Sequence, residues 1–249
     1  MAKERLDKLI ASTGRWSRRE VKTLVREGRV LVDGRNDDGK HTLTARTAGS
    51  AEEKYDAESC RIAVNGEELL LRRHTYVMLH KPAGVLSATE DGRGRTVLDL
   101  LTPELRKIGV FPVGRLDKDT EGLLLLTDDG ELAHALLSPK KHVDKIYYAR
   151  VSGRLAPEDC AAFEAGMTLG DGLECLPAGL EILAAGETSE CLVTLREGKF
   201  HQVKRMLAAR GKPVTYLKRL SMGSLRLDDT LAPGEFRLLT AAEETQLQR

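Results

Sequence analysis

The sequence predicts an α+β protein of two domains, a small one over residues 1–67 and a larger one over residues 74–249. Three observations carry that expectation. Apolar residues recur at helical spacing in the first thirty positions and then give way to a short strand-like run. Residues 35–59 are rich in Gly, Asp, Thr, Ala and Glu and nearly free of apolar side chains, so they read as a loop-like insertion. From residue 76 onward strand-like and helical runs alternate without the regular spacing of a βαβ series.

In chain order, Leu6, Leu9 and Ile10 mark a first helix, which Ser12-Thr13-Gly14 breaks. Ser17 followed by Glu20 reads as a capping box for a second helix, with Val21, Leu24 and Val25 as its apolar stripe and Gly28 as its stop. Val30-Leu31-Val32 before Asp33-Gly34 predicts a strand and turn, and 61–64 before Asn65-Gly66 predicts another. Residues 67–75 form the link. In the second domain, strands are expected at 76–79, 110–113, 123–126, 147–151 and 191–196. Helices are expected at 97–101, 131–137, 157–165 and 202–209. Lys81-Pro82-Ala83-Gly84, Asp128-Asp129-Gly130, Ser138-Pro139, Glu197-Gly198 and Gly211 punctuate them.

Composition excludes several classes. No run of 18 apolar residues exists, so no membrane-spanning helix is expected. The charged N-terminus is followed by no apolar stretch, so no signal peptide is expected. Cys60, Cys160, Cys175 and Cys191 lack C-x-x-C spacing and read as free thiols of a reducing cytoplasm. Net charge is only +1, yet residues 1–35 carry +5 and residues 196–226 carry +8, leaving the rest at −12. Two basic blocks in a near-neutral chain point to a polyanionic partner.

Nucleotide-binding, zinc-protease and serine-hydrolase motifs (G-x-G-x-x-G, G-x-x-x-x-G-K-[ST], H-E-x-x-H, G-x-S-x-G) are absent, and the six histidines show no metal-ligand spacing. The chemically informative segment is Gly114-Arg115-Leu116-Asp117-Lys118-Asp119-Thr120-Glu121-Gly122-Leu123. Its glycines bracket a carboxylate between two strand-like runs, and Arg115 and Lys118 flank it with positive charge that favours ionisation. An ionised carboxylate in a cleft serves as nucleophile or base.

That segment resembles the G-R-L-D-x-x-T-x-G-L signature of the RsuA-type ribosomal RNA pseudouridine synthases, with Asp117 on the family's catalytic aspartate. Lys81-Pro82-x-Gly84, Lys145-Ile146-Tyr147 and Gly198-Lys199-Phe200-His201-Gln202-Val203-Lys204-Arg205-Met206 resemble three further motifs of that family, in the same order. Arg5-Leu6-Asp7-Lys8 through Val30-x-Val32-Asp33-Gly34 resembles an S4 RNA-binding domain. His80 stands where the family often has Asn and receives no role. The resemblance implies an S4-like domain followed by a catalytic domain on a mixed, largely antiparallel sheet with flanking helices.

It also implies a chemistry. The target uridine leaves its stack, at a cost of a few kcal/mol, and Asp117 attacks it at the base or the ribose. The uracil detaches, turns and rejoins through carbon 5, which needs no cofactor and no metal. Tyr147 would lie against the uracil and help remove the carbon-5 proton. Lys204 would pair with Asp117, keeping it charged and oriented. Arg115, Lys81, Arg205, His201 and Gln202 are expected to contact RNA near the reacting nucleotide. Arg15, Arg18, Arg19, Lys22 and Arg26 are expected to follow an RNA backbone, with Arg18, Lys22 and Arg26 on one helix face. The third motif resembles the small-subunit (16S) class more than the large-subunit (23S) class. The expected partner is therefore ribosomal RNA or a ribosomal subunit assembly intermediate, bound by a monomer in the cytoplasm. Two other readings compete: a catalytically silent S4-type assembly factor, and an unrelated carboxylate enzyme such as a glycosidase using Asp117 and Asp119.

Overall fold

The computed structural model describes residues 3–33, 46–56, 60–69, 71–92, 94–138 and 141–247. The chain divides into two compact units, one of Met1–Thr75 with Leu101–Val110 and one of Tyr76–Leu100 with Phe111–Arg249.

In the first unit a short strand β1 (Glu4–Arg5) leads into helices α1 (Leu6–Ala11) and α2 (Arg18–Arg26). The expected capping box is present: the Ser17 hydroxyl accepts from the Glu20 N–H at 3.3 Å, and the Glu20 carboxylate accepts from the Ser17 N–H at 2.7 Å. Strands β2 (Val30–Asp33), β3 (Arg46–Thr47), β4 (Lys54–Tyr55), β5 (Arg61–Val64) and β6 (Glu67–Leu69) follow. They form an antiparallel sheet in the order β3-β2-β5-β6, while β1 pairs with β4. Leu6, Ile10, Val21, Val30 and Ile62 are fully buried at its centre. Gly34 and most of the expected loop 35–59 lie outside the described residues. Within it, residues 46–56 are not all loop. They contribute β3 and β4 and bury Ala48 and Ala51, through backbone pairing that no apolar alternation announces.

Residues 101–110, which the sequence places in the second domain, group with the first unit. They contain α3 (Pro103–Ile108), capped by the Thr102 hydroxyl. The Glu104 backbone lies against Gly14, where a Cβ would stand 2.2 Å from the Glu104 carbonyl oxygen.

The second unit is built on a mixed sheet. Its strands are β7 (Tyr76–Lys81), β8 (Phe111–Pro112), β9 (Glu121–Thr127), β10 (Lys145–Ser152), β13 (Gly179–Ala184), β14 (Thr188–Leu195), β15 (Val214–Met222), β16 (Leu225–Arg226) and β17 (Phe236–Leu238). A separate two-stranded ribbon joins β11 (Met167–Thr168) and β12 (Glu174–Cys175). The main order is β13-β14-β10-β15-β9-β7-β17, with β8 beside β9 and β16 beside β15. Every pairing is antiparallel except β15 with β9. This is the mixed, largely antiparallel sheet expected. Helices α4 (Gly130–Leu137) and α7 (Ala241–Leu247) bury Ala133, Leu136 and Leu247 in a core with Met78, Leu123 and Leu125, α5 (Pro157–Ala165) packs on β13, and α6 (Gln202–Ala209) lies beside β15.

The parallel joint is short, pairing Lys218 with Glu121 and Arg219 with Gly122. Gly122 is required there. Its φ is +104°, and a Cβ on it would lie 2.2 Å from the Arg219 carbonyl oxygen and 2.6 Å from its nitrogen. Gly122→Ala therefore combines backbone strain with a clash that only a main-chain shift relieves, and is expected to cost about 3 kcal/mol. Chemical denaturation checks this; a loss under about 1 kcal/mol means the joint tolerates a side chain.

Candidate active site

Asp117 lies on the loop between β8 and β9, and the turn after β7 fixes that loop's backbone. Lys81 ends β7 with a fully buried side chain. Its ammonium lies within hydrogen-bond distance of four carbonyls, those of Pro82 (3.0 Å), Asp117 (3.1 Å), Lys118 (3.2 Å) and Thr120 (2.9 Å). The Gly84 N–H donates to the Lys118 carbonyl at 2.7 Å. The Ser87 hydroxyl donates to the Leu116 carbonyl at 2.9 Å and accepts from the Leu116 N–H at 3.1 Å. The backbone is thus held immediately before and after Asp117. Burial pushes the Lys81 ammonium down to about 8, against the attraction of Asp119 and Asp117.

The Asp117 carboxylate is 24% exposed and faces a cleft. One of its oxygens is 3.1 Å from Lys204 Nζ, and the other is 3.5 Å from His201 Nε2. Lys204 reaches it from the first turn of α6, and His201 starts that helix in the left-handed region at φ 51°. Lys204 also donates to Asp119 at 2.5 Å. Burial works against the Lys204 charge, but hydrogen bonds to Asp119 and Asp117 outweigh it and raise its pKa. The same bond from Lys204 holds the Asp119 carboxyl below the usual range.

Tyr147 on β10 is buried and lines the same cleft as Asp117. The alternation of β10 buries Lys145, Tyr147, Ala149 and Val151, and a register shift between Ile146 and Tyr147 sets Tyr147 opposite Arg219 of β15. The enclosed part of the cleft is only about 60 Å³. Ligand pockets usually reach about 300 Å³ or more, so this cleft is shallower than a typical small-molecule pocket and lies open to the surface.

The structure brings Asp117, Tyr147, Lys204, Arg115 and His201 to one cleft. Arg115 is exposed, and the acids that follow it in the loop are engaged elsewhere, Asp119 with Lys204 and Glu121 with the Tyr216 hydroxyl at 2.8 Å. Two expected RNA contacts are corrected. Lys81 is fully buried and spends its donors on the loop carbonyls. Gln202 is buried as well; it donates to Glu197 at 2.6 Å and accepts from the Lys199 N–H at 3.0 Å. Arg205 pairs with Asp171 at 2.5 Å.

Among the basic residues of the first unit, Arg18 bonds the fully buried Asp7 at 3.0 Å, and Arg15 bonds Glu67 at 2.8 and 2.6 Å while covering the Trp16 ring. Lys22 stands 3.8 Å from Glu52. Arg19 and Arg26 are exposed. Sequence reading missed the Ser87 and Gly84 supports and the buried Arg219, whose Nε donates to the Leu123 carbonyl at 2.8 Å. The Lys-Pro-x-Gly motif was the available signal for Gly84, and Ser87 and Arg219 had none.

Asp117 is the one acid lining the cleft among the described residues, and no group of three His, Cys, Asp or Glu there is arranged for a metal ion. No helix among them is long and apolar enough to cross a membrane. A carboxylate held between an ammonium and an imidazole at an open cleft is the arrangement that carboxylate chemistry on a large substrate would need.

Comparison with known proteins gives the particular family. Residues 75–209 match the RNA pseudouridylate synthases, and residues 4–35 match the S4 domain. The chain is 48% identical over 240 residues to an uncharacterized RNA pseudouridine synthase, YtzG, of Bacillus subtilis, covering 96% of each. It is 38% identical to ribosomal small subunit pseudouridine synthase A of Vibrio cholerae, covering 96% of this chain and 97% of that one. It is also 38% identical to ribosomal large subunit pseudouridine synthase B of Bacillus subtilis, covering 98% and 96%. A crystal structure of a pseudouridylate synthase matches with TM-score 0.65 and 33% identity, over 98% of this chain and 99% of that one. The chain belongs to the RNA pseudouridine synthases of the RsuA type, isomerases that convert uridine to pseudouridine in RNA and carry an N-terminal S4 RNA-binding domain.

Proposed function

We propose that this chain isomerises one uridine of 16S ribosomal RNA, with Asp117 as the attacking carboxylate. The observation that carries the reading is the Asp117–Lys204 pair at 3.1 Å in an open cleft that Tyr147 also lines. Lys204 aims the carboxylate; its bond to Asp119 leaves it anchored when Asp117 engages the nucleoside. The uridine is everted into the cleft, Asp117 attacks at the base or the ribose, and the glycosidic bond breaks. The uracil then turns within the cleft and rejoins the ribose through carbon 5. Tyr147 offers a ring to stack on the uracil and a hydroxyl to help move the carbon-5 proton. Arg115 and His201 meet the RNA around the everted nucleotide.

The small-subunit reading rests on the His201-Gln202-Val203-Lys204-Arg205-Met206 motif and on the relative named for the small subunit. The partner is ribosomal RNA, free or in an assembly intermediate, met by a monomer in the cytoplasm. Purified protein is expected to release tritium from carbon-5-labelled 16S transcript, and cells lacking it to lose one pseudouridine from 16S rRNA. Loss from 23S rRNA instead would move the substrate to the large subunit. No release from either RNA, with no pseudouridine lost in cells, leaves the silent assembly factor.

Arg19 and Arg26 are the exposed cations of α2 without an ion pair among the described residues. Converting both to Ala is expected to weaken RNA binding at every sequence and to lower the slope of log affinity against log salt by about 1 per residue. Filter binding across salt concentrations measures this, and an unchanged slope removes α2 from the RNA interface.

A further inference from the structure

We infer that Phe200, with His201 beneath it, is a stacking platform for a nucleobase that flanks the target uridine. The inference rests on the pseudouridine synthase reading of the cleft and adds to it a positioning residue.

Phe200 is 73% exposed, the most exposed of the large apolar side chains among the described residues. A single exposed apolar side chain is ordinary on a protein surface. This one is set apart by what its other face touches and by where it stands. Its ring lies nearly parallel to the His201 imidazole, with centroids 3.9 Å apart and planes 17° apart. His201 in turn reaches Asp117 at 3.5 Å. The inner face of the phenyl ring is therefore occupied by an aromatic that borders the reactive carboxylate, and the outer face is open to solvent.

The backbone builds this arrangement at some cost. His201 holds φ 51° and ψ 31°, a left-handed conformation uncommon for a residue with a side chain. It is stabilised where the chain turns from β14 into α6, by the Gln202 N–H donating to the Lys199 carbonyl at 3.2 Å and by the buried Gln202 amide bonded to Glu197. The stack thus stands on an anchored turn.

A uridine can enter the cleft only after leaving its stack, which strips its neighbours of a partner. A phenyl face beside the cleft supplies one. Stacking on an aromatic ring tolerates any base, because every base has a π face. The platform therefore gives affinity at the reacting nucleotide without fixing the identity of the flanking base.

The test is a variant series assayed by tritium release from carbon-5-labelled 16S transcript. Phe200→Ala and Phe200→Leu are expected to raise KM on the order of tenfold with kcat nearly unchanged, and Phe200→Tyr and Phe200→Trp to restore it. Because the side chain is exposed, Tm stays constant across the series. An unchanged KM in Phe200→Ala, or a Leu variant as good as Trp, overturns the inference. A second readout does not depend on turnover: in a Trp16→Phe background, the fluorescence of Phe200→Trp is expected to be quenched by oligouridine. Absence of quenching overturns the platform whatever the activity, whereas quenching in a protein that releases no tritium from 16S or 23S transcript, with no pseudouridine lost in cells, upholds a base-stacking platform and sinks the synthase reading.

Discussion

Replacing Asp117 by asparagine is expected to lower turnover by about 10⁴-fold or more while RNA affinity stays within about threefold. The amide has the same shape but no anionic oxygen to attack with. The fold should be unaffected, because the backbone around position 117 is held by Lys81 and Ser87 rather than by the carboxylate. Lys204 retains Asp119, so no ammonium is stranded. Affinity persists because contacts to the phosphate backbone supply most of it. Single-turnover tritium release and filter binding together check the prediction. Activity within about 100-fold of wild type would show that another group starts the reaction.

The second large effect belongs to Lys81. Lys81→Met keeps the volume of the side chain and removes its donors, leaving the Pro82 and Thr120 carbonyls without the ammonium they share with the Asp117 and Lys118 carbonyls. A destabilisation of about 2–4 kcal/mol is expected from the unpaired acceptors. A loss of about 100-fold in kcat is expected as well, because a displacement of about 1 Å at a reacting group has that consequence. A variant that keeps full kcat would separate Lys81 from the catalytic loop.

The same lysine gives a pH test. Its folded pKa is about 8, below the ordinary 10.5. Between those values the unfolded chain binds more protons than the folded one, so the contribution of this group to stability grows as pH rises across the window. The stability difference between wild type and Lys81→Met is therefore expected to widen from pH 7 to pH 10. Turnover should move the other way, since a neutral amine has two donors for carbonyls that an ammonium served with three. A difference that narrows with pH contradicts the burial of this charge.

What could be read from the sequence divides along physical lines. Helices α5 and α6 have the bounds that their punctuation predicts, Pro157 at one start and Gly211 beyond one end. The capping box of α2 was legible because it is local. Strand β15 was not, because the side chains it buries at Leu217, Arg219 and Ser221 include two polar ones, which hides the period-two pattern. Lys81 was taken for a ligand of RNA because nothing in a tetrapeptide reveals that β7 is buried on both faces. The cleft residues came from resemblance of motifs. Periodicity alone did not join a loop before β9 to the first turn of α6, and the bond from Lys204 to Asp119 had no local signal at all.

The single parallel joint in the large sheet has a consequence for the growing chain. It divides the sheet into two hydrogen-bonded halves, one holding Lys81 and Asp117, the other holding Tyr147. During synthesis Asp117, Tyr147 and Lys204, the side chains proposed to react, have all been added by residue 204, yet the strand that ties the halves together begins at Val214, and β17 must still return to pair with β7. A ribosome paused between those points would carry a polypeptide with all its chemical groups and no working geometry. Competence of the proposed site waits for β15 and β17 and arrives all at once with them.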